Sequence, residues 1–110
     1  MSTESCIGFY GVRFELHENE IESLEDKSDS RLVLARKHGL KNYWGNFSSS
    51  EEKWFLFIGA RLSVLGAENE RDYKIDSEAL LELMRGTENR LTNAGIKEKP
   101  ALYLQWQPDI

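Results

Sequence analysis

Cys6, His17 and His38 are the only cysteine and histidines in the chain. Any thiol or imidazole chemistry must come from them. A Cys–His pair works when the imidazole takes the thiol proton, which needs hydrogen-bond reach. Cys6 and His17 stand at opposite ends of one predicted strand, upwards of ~30 Å apart at ~3.3 Å per residue, so they are not expected to meet. His38 falls at a predicted helix C-terminus, where a cation is favourable and a capping role is expected. Cys6 is expected to behave as a small buried hydrophobe. There is no CxxC, HxH or HExxH spacing, and the carboxylates are scattered. No metal, cofactor or catalytic set is therefore assigned. The glycines at Gly8–Gly11 and at Gly59 do not form a P-loop or a GxGxxG.

The charge pattern is more informative. Between Glu15 and Asp29 there are seven acidic residues and one lysine, whereas Arg31–Lys41 holds four basic residues and no acidic one. A solvated helical surface accounts for this. A functional version is an acidic patch, centred on Glu20, Glu22 and Glu25, that speeds encounter with a basic partner. Tyr43, Trp44 and Phe47 lie just beyond it and are the residue types that anchor interfaces, although Trp44 could equally plug the end of the core. If the same region formed a pocket between a sheet and the 41–47 connection, Arg36, His38, Asn42, Asn46 and Arg61 would be its polar handles.

Positioning these residues requires elements. Trp54–Gly66, WFLFIGARLSVLG, is the densest apolar run. Its aromatic and β-branched content suits a strand. Gly59 divides it, and two strands joined by a tight turn are preferred to one bulged strand, although the Asn-Gly signal of such turns is missing. Cys6–Leu16 reads as the first strand, with a bulge near Gly8 or Gly11. Asn19 and Glu22 suggest a capping box for a short helix over about 20–26, and Ser30 a cap for a second over about 31–38, closed by Gly39. Lys41–Glu52 reads as a loop or short extended piece. Asp76 as N-cap and Gly95 as C′, with Leu91 and Ile96 positioned for a Schellman contact, bound the best-marked helix. Gly86 inside it costs about 1 kcal/mol relative to alanine and suggests close packing or a kink. Ala101–Gln107 is the last strand, with Leu102, Leu104 and Trp106 on one face.

The order β–(αα)–β–β–α–β predicts a single α+β domain of the split-βαβ, ferredoxin-like kind, with helices on one face of a four-stranded antiparallel sheet. The first five residues are expected to fray. The other sheet face should carry Phe9, Arg61, Ser63 and Tyr103, together with Phe55 or Phe57. It should be hidden by a homodimer, a partner or a ligand, or else by the Tyr43–Phe47 segment folding over it.

Composition bounds the function. Hydrophobic residues are 40% of the chain, enough for a globular core. A net charge of −5 disfavours nucleic-acid binding, which relies on neutralising phosphates. Residues 60–66 also lack the aromatic motif of RNA-binding sheets. No membrane span or signal peptide is expected, and one cysteine suits the cytoplasm. The expected function is a non-enzymatic protein-interaction module, comparable by analogy to an inhibitor or immunity-type protein that blocks a basic toxin, with another protein or a second copy as partner. The alternative is a small-molecule-binding or enzymatic domain with its pocket beside residues 41–47.

Overall fold

The computed structural model describes residues 4–48 and 53–108. It is an α+β fold with three helices and a four-stranded antiparallel open sheet. Strand β1 (Ser5–Leu16) leads through a 3-10 turn at Glu18–Glu20 into α1 (Ile21–Glu25) and α2 (Ser30–Lys37). Then come β2 (Lys41–Asn46), β3 (Trp54–Gly66), α3 (Ser77–Asn93) and β4 (Ala101–Gln107). The strand order is β2-β3-β1-β4. Of the five residues expected to fray, Ser5 opens β1, opposite Gly66 and Gln107. Residues 1–3 lie outside the described residues.

The expectation of two strands at Trp54–Gly66 is corrected. β3 is one strand, paired with β1 from Trp54 opposite Leu16 to Gly66 opposite Ser5. Gly59 makes no turn. It sits opposite Gly11, and a Cβ on either would collide with the carbonyl of Tyr10 or Ile58 across the ladder. Glycine is there for close backbone approach. The register slips once, between Gly8 opposite Ser63 and Phe9 opposite Arg61, which leaves Leu62 as the extra residue of a bulge in β3. A bulge exchanges the faces beyond it. Ala60, Leu62 and Val64 therefore do not share one face, although they alternate in sequence. Val64 packs with the aromatic cluster, while Ser63 turns towards Gly8 on the opposite side.

The two sheet faces close differently. On one, Val12, Leu16, Leu56 and Ile58 pack with Leu24 of α1, Leu32 and Ala35 of α2 and Leu91 of α3. On the other, Ile7, Phe9 and Phe57 pack with Phe47, which follows β2. The shortest dimension of the molecule is 20 Å, the thickness of one sheet and one helical layer at ~10 Å per layer.

The helix ends follow local hydrogen bonding. Asp76 caps α3 through Ala79 N at 2.9 Å. Gly95 has φ 78°, and Ile96 N donates to Leu91 O at 3.0 Å, which completes the expected Schellman closure. Gly39 (φ 69°) and Leu40 close α2 in the same way. The two N-terminal caps differ from expectation. Asp29, not Ser30, caps α2, because its carboxylate accepts from Arg31 N at 2.8 Å. At the first turn the reciprocal spacing starts at His17, whose N–H donates to Glu20 Oε2 at 2.7 Å, and not at Asn19.

Candidate functional site

Cys6, at the start of β1, is a half-buried free thiol, and His17 lies beyond the far end of the same strand. His38 is the C-cap residue of α2. Among the described residues no three His, Cys, Asp or Glu side chains group as metal ligands. No buried side-chain nitrogen or oxygen there lacks a hydrogen-bond partner.

Of the two forms expected for this segment, loop or short extended piece, Lys41–Asn46 takes the extended one as β2, and this separates the aromatics. Tyr43 and Trp44 are adjacent in β2 and point to opposite faces. Trp44 packs against Trp54, with ring centroids 6.1 Å apart, at the margin of the helix-covered core. Tyr43 lies on the other face and donates to Gln107 Oε1 at 2.6 Å. Phe47 leaves the strand and turns in. It meets Phe57 edge-on at 5.6 Å and sits 5.9 Å from Phe55 and 6.0 Å from Tyr43. Asn46 Oδ1 accepts from Ser48 N and Lys53 N at 3.1 and 3.2 Å and so ties the two ends of this connection together. Residues 49–52 of the connection lie outside the described residues.

Arg13 finishes the cover. Its guanidinium stands 4.4 Å from the Phe55 ring centroid and 4.9 Å from that of Tyr103, and Nη1 donates to Gln105 Oε1 at 3.0 Å. A cation over two rings is attracted by their negative faces. Of the covers expected for this face, the Tyr43–Phe47 segment is the one present, with Arg13 beside it, and Phe9 and Phe57 are fully buried there. Arg13 was legible only as the polar half of an alternating strand. Its partners sit on strands distant in sequence.

The acidic run is divided by internal pairing. Arg31 Nη2 lies 3.0 Å from Glu20 Oε1 and 2.9 Å from Asp29 Oδ2. The Arg31 guanidinium holds the Asp29 carboxyl below the usual aspartate range, against the opposing effect of burial. Asp26 is likewise held low by the hydroxyl and N–H of Ser28. Glu22 and Glu25 stay exposed on α1. Of the three central carboxylates, Glu20 is a fold residue as much as a surface one.

The pocket handles do not converge. Arg36, Asn42 and Trp44 border one depression of about 380 Å³ with Glu25 and Lys27. Arg61, with Asn42 and Lys41, borders another of about 400 Å³. His38 and Asn46 border neither. A depression of about 520 Å³ lies elsewhere, where α3 runs into β4, between Glu88, Ile96 and Lys97.

The surface that stands out was not foreseen. Leu102, Leu104 and Trp106 of β4 are 53, 73 and 52% exposed, and Leu81 of α3 is 51% exposed. Leu102 lies opposite Tyr10, Leu104 opposite Gly8 and Trp106 opposite Cys6, so all three point to the helical side of the sheet. The helix stops short of them, because α3 packs over β1 and β3. Tyr10 joins the two layers. Its hydroxyl donates to Glu88 Oε2 at 2.9 Å, and burial and that carboxylate push the phenol up to about 12. Leu81 lies two turns, about 10 Å, before Glu88 on the same helix face, a span of three strand residues. Sequence pattern marked Leu102, Leu104 and Trp106 as one apolar face, but it could not say that no helix covers an edge strand.

No protein-family model matches the chain, and neither the curated proteins nor the solved structures contain a significant match to it. No helix among the described residues is long and apolar enough to cross a membrane.

Proposed function

We propose that this chain is a non-enzymatic protein-interaction module of the cytoplasm. The observation that carries the proposal is the uncovered apolar strip of Leu102, Leu104 and Trp106 on β4. Edge strands are ordinarily blunted by charge, proline, a bulge or a covering element. β4 has seven residues, ALYLQWQ, with no charge, no proline and no register slip. An uncharged edge with an apolar face suits a partner that adds a strand and buries side chains together. The acidic surface at Glu22 and Glu25 would steer a basic partner without supplying the main contact, as in the inhibitor or immunity-type analogy. We further assign the fold to the split-βαβ, ferredoxin-like class. The β2-β3-β1-β4 order supports this, together with helical crossovers from β1 to β2 and from β3 to β4. The pocket reading has weaker support, because Arg36 and Arg61 border different depressions and His38 and Asn46 border neither.

The test is purification of the tagged chain from its own cells, as wild type, as Leu102→Lys/Trp106→Glu and as Glu22→Lys/Glu25→Lys. A stoichiometric companion, another protein or an untagged copy, should be lost from the β4 variant and kept, with greater salt sensitivity, by the α1 variant. A companion retained by the β4 variant, or none in the wild type, overturns the reading. Glu20 is left out of the reversal because it pairs with Arg31.

A further inference from the structure

We infer that the occupant of the β4 surface is a second copy of this chain, docked by antiparallel β4–β4 pairing about a twofold axis through Leu104. The inference rests on the interaction reading above and names its partner.

A twofold perpendicular to the sheet keeps each face continuous across the new ladder, so residue i must oppose a residue of the same parity. The register centred on Leu104 is the one that pairs all seven residues, from Ala101 opposite Gln107 of the other copy to Gln107 opposite its Ala101. It sets Leu104 against Leu104, and Leu102 against Trp106 in both directions. The exposed apolar side chains thus meet only one another on the helical side. On the other side Tyr103 meets Gln105, whose amide oxygen already accepts from Arg13. The strand is self-complementary in this sense, and with no charge in it two copies bring no like charges into register.

The area fits. Leu102, Leu104 and Trp106 expose on the order of 350 Å² of apolar surface per copy, against roughly 800 Å² buried per partner in a standard stable interface. They supply the apolar centre, and the strand edge and its polar neighbours supply the rim. The other sheet edge offers no such match. β2, KNYWGN, carries Lys41 and a glycine, and its two central aromatics point to opposite faces and pack on the chain's own core.

Sedimentation velocity at about 100 µM, where an interface of micromolar Kd is filled, should give twice the 12.7 kDa monomer mass. Leu104→Lys places two ammonium groups on the axis and should weaken self-association at least 100-fold with an unchanged far-UV circular dichroism spectrum. Register is read by disulfide trapping in a Cys6→Ala background. Leu104→Cys should cross-link to a covalent dimer on mild oxidation, and Leu102→Cys, which faces Trp106, should not. A monomeric wild type, a dimer indifferent to Leu104→Lys, or equal cross-linking at both positions overturns the inference. A monomeric wild type whose β4 variant still loses a different cellular companion removes self-pairing alone. The absence of any companion removes the interaction reading as well.

Discussion

At the scale of single residues, the strongest commitments are buried charge and glycine. The Asp29 carboxylate is nearly buried and takes the Arg31 backbone N–H, Nε and Nη2 at 2.8, 3.0 and 2.9 Å. Asp29→Asn keeps a good cap but removes the charge pairing, and should cost about 1.5 kcal/mol at pH 7. The folded pKa of Asp29 lies below its unfolded value near ~3.9. Its contribution is therefore complete above that value and is lost as the pH falls through the folded one. Urea midpoints of wild type and variant should differ at pH 7 and converge as the pH falls through the folded pKa of Asp29, and a gap that persists in stronger acid would mean that the pairing does not set the difference. Glycines divide by what a methyl group would meet. At Gly86 a Cβ finds nothing within 4 Å, so neither close packing nor a neighbour explains it, and Gly86→Ala should stabilise by about 0.5–1 kcal/mol in urea melts. At Gly11 the same change meets the Ile58 carbonyl and should cost about 3 kcal/mol or more. The sequence shows the two glycines as equals. Only the opposing strand distinguishes them.

At the scale of elements, legibility tracked how local the determinants are. α3 was readable end to end because Asp76, Gly95 and the Leu91–Ile96 contact all lie within or beside it. The caps of α1 and α2 were displaced by one or two residues, because several polar residues compete there and a distant Arg31 helps to decide between them. β3 was misdivided because Gly59 resembles a turn until Gly11 is placed opposite it. The candidate site was less legible still. Tyr43, Trp44 and Phe47 are neighbours in sequence but serve two faces, Trp44 the helical one and Tyr43 and Phe47 the aromatic one, and the exposure of β4 depends on where α3 comes to rest. That position is held in part by the Tyr10–Glu88 hydrogen bond. The Tyr10 phenol, pushed up to about 12, favours the folded state fully below its unfolded value near ~10, and the contribution is lost as the pH rises towards 12. Absorbance titration should find one of the four tyrosines ionising last. Glu88→Gln should bring that step to lower pH without removing it, since burial contributes more than the carboxylate. A titration unchanged by the substitution would uncouple the two layers.

At the scale of the whole molecule, one sheet has two faces finished by different means, and this separates folding from association. The aromatic face is sealed from within by Phe47 and by Arg13 across Phe55 and Tyr103. The helical face is sealed only as far as α3 reaches, and the β4 strip remains in water. Both sets of side chains are large and apolar, but they should respond to truncation in opposite ways. Phe47 is buried and touches three rings, so Phe47→Ala should cost about 3–5 kcal/mol and leave any self-association of the remaining folded chains intact. Trp106 is half-exposed with no helix above it. Trp106→Ala should change the urea midpoint of the dilute chain by less than about 1 kcal/mol while weakening association at least tenfold. The check pairs urea melts at the lowest workable concentration with sedimentation at high concentration, for both variants. A large stability loss in Trp106→Ala at low concentration would make the β4 strip part of the folding core. A small one with lost association would leave it free to serve an interface, because an apolar side chain that the fold does not need and water does not favour gains most from a partner that covers it.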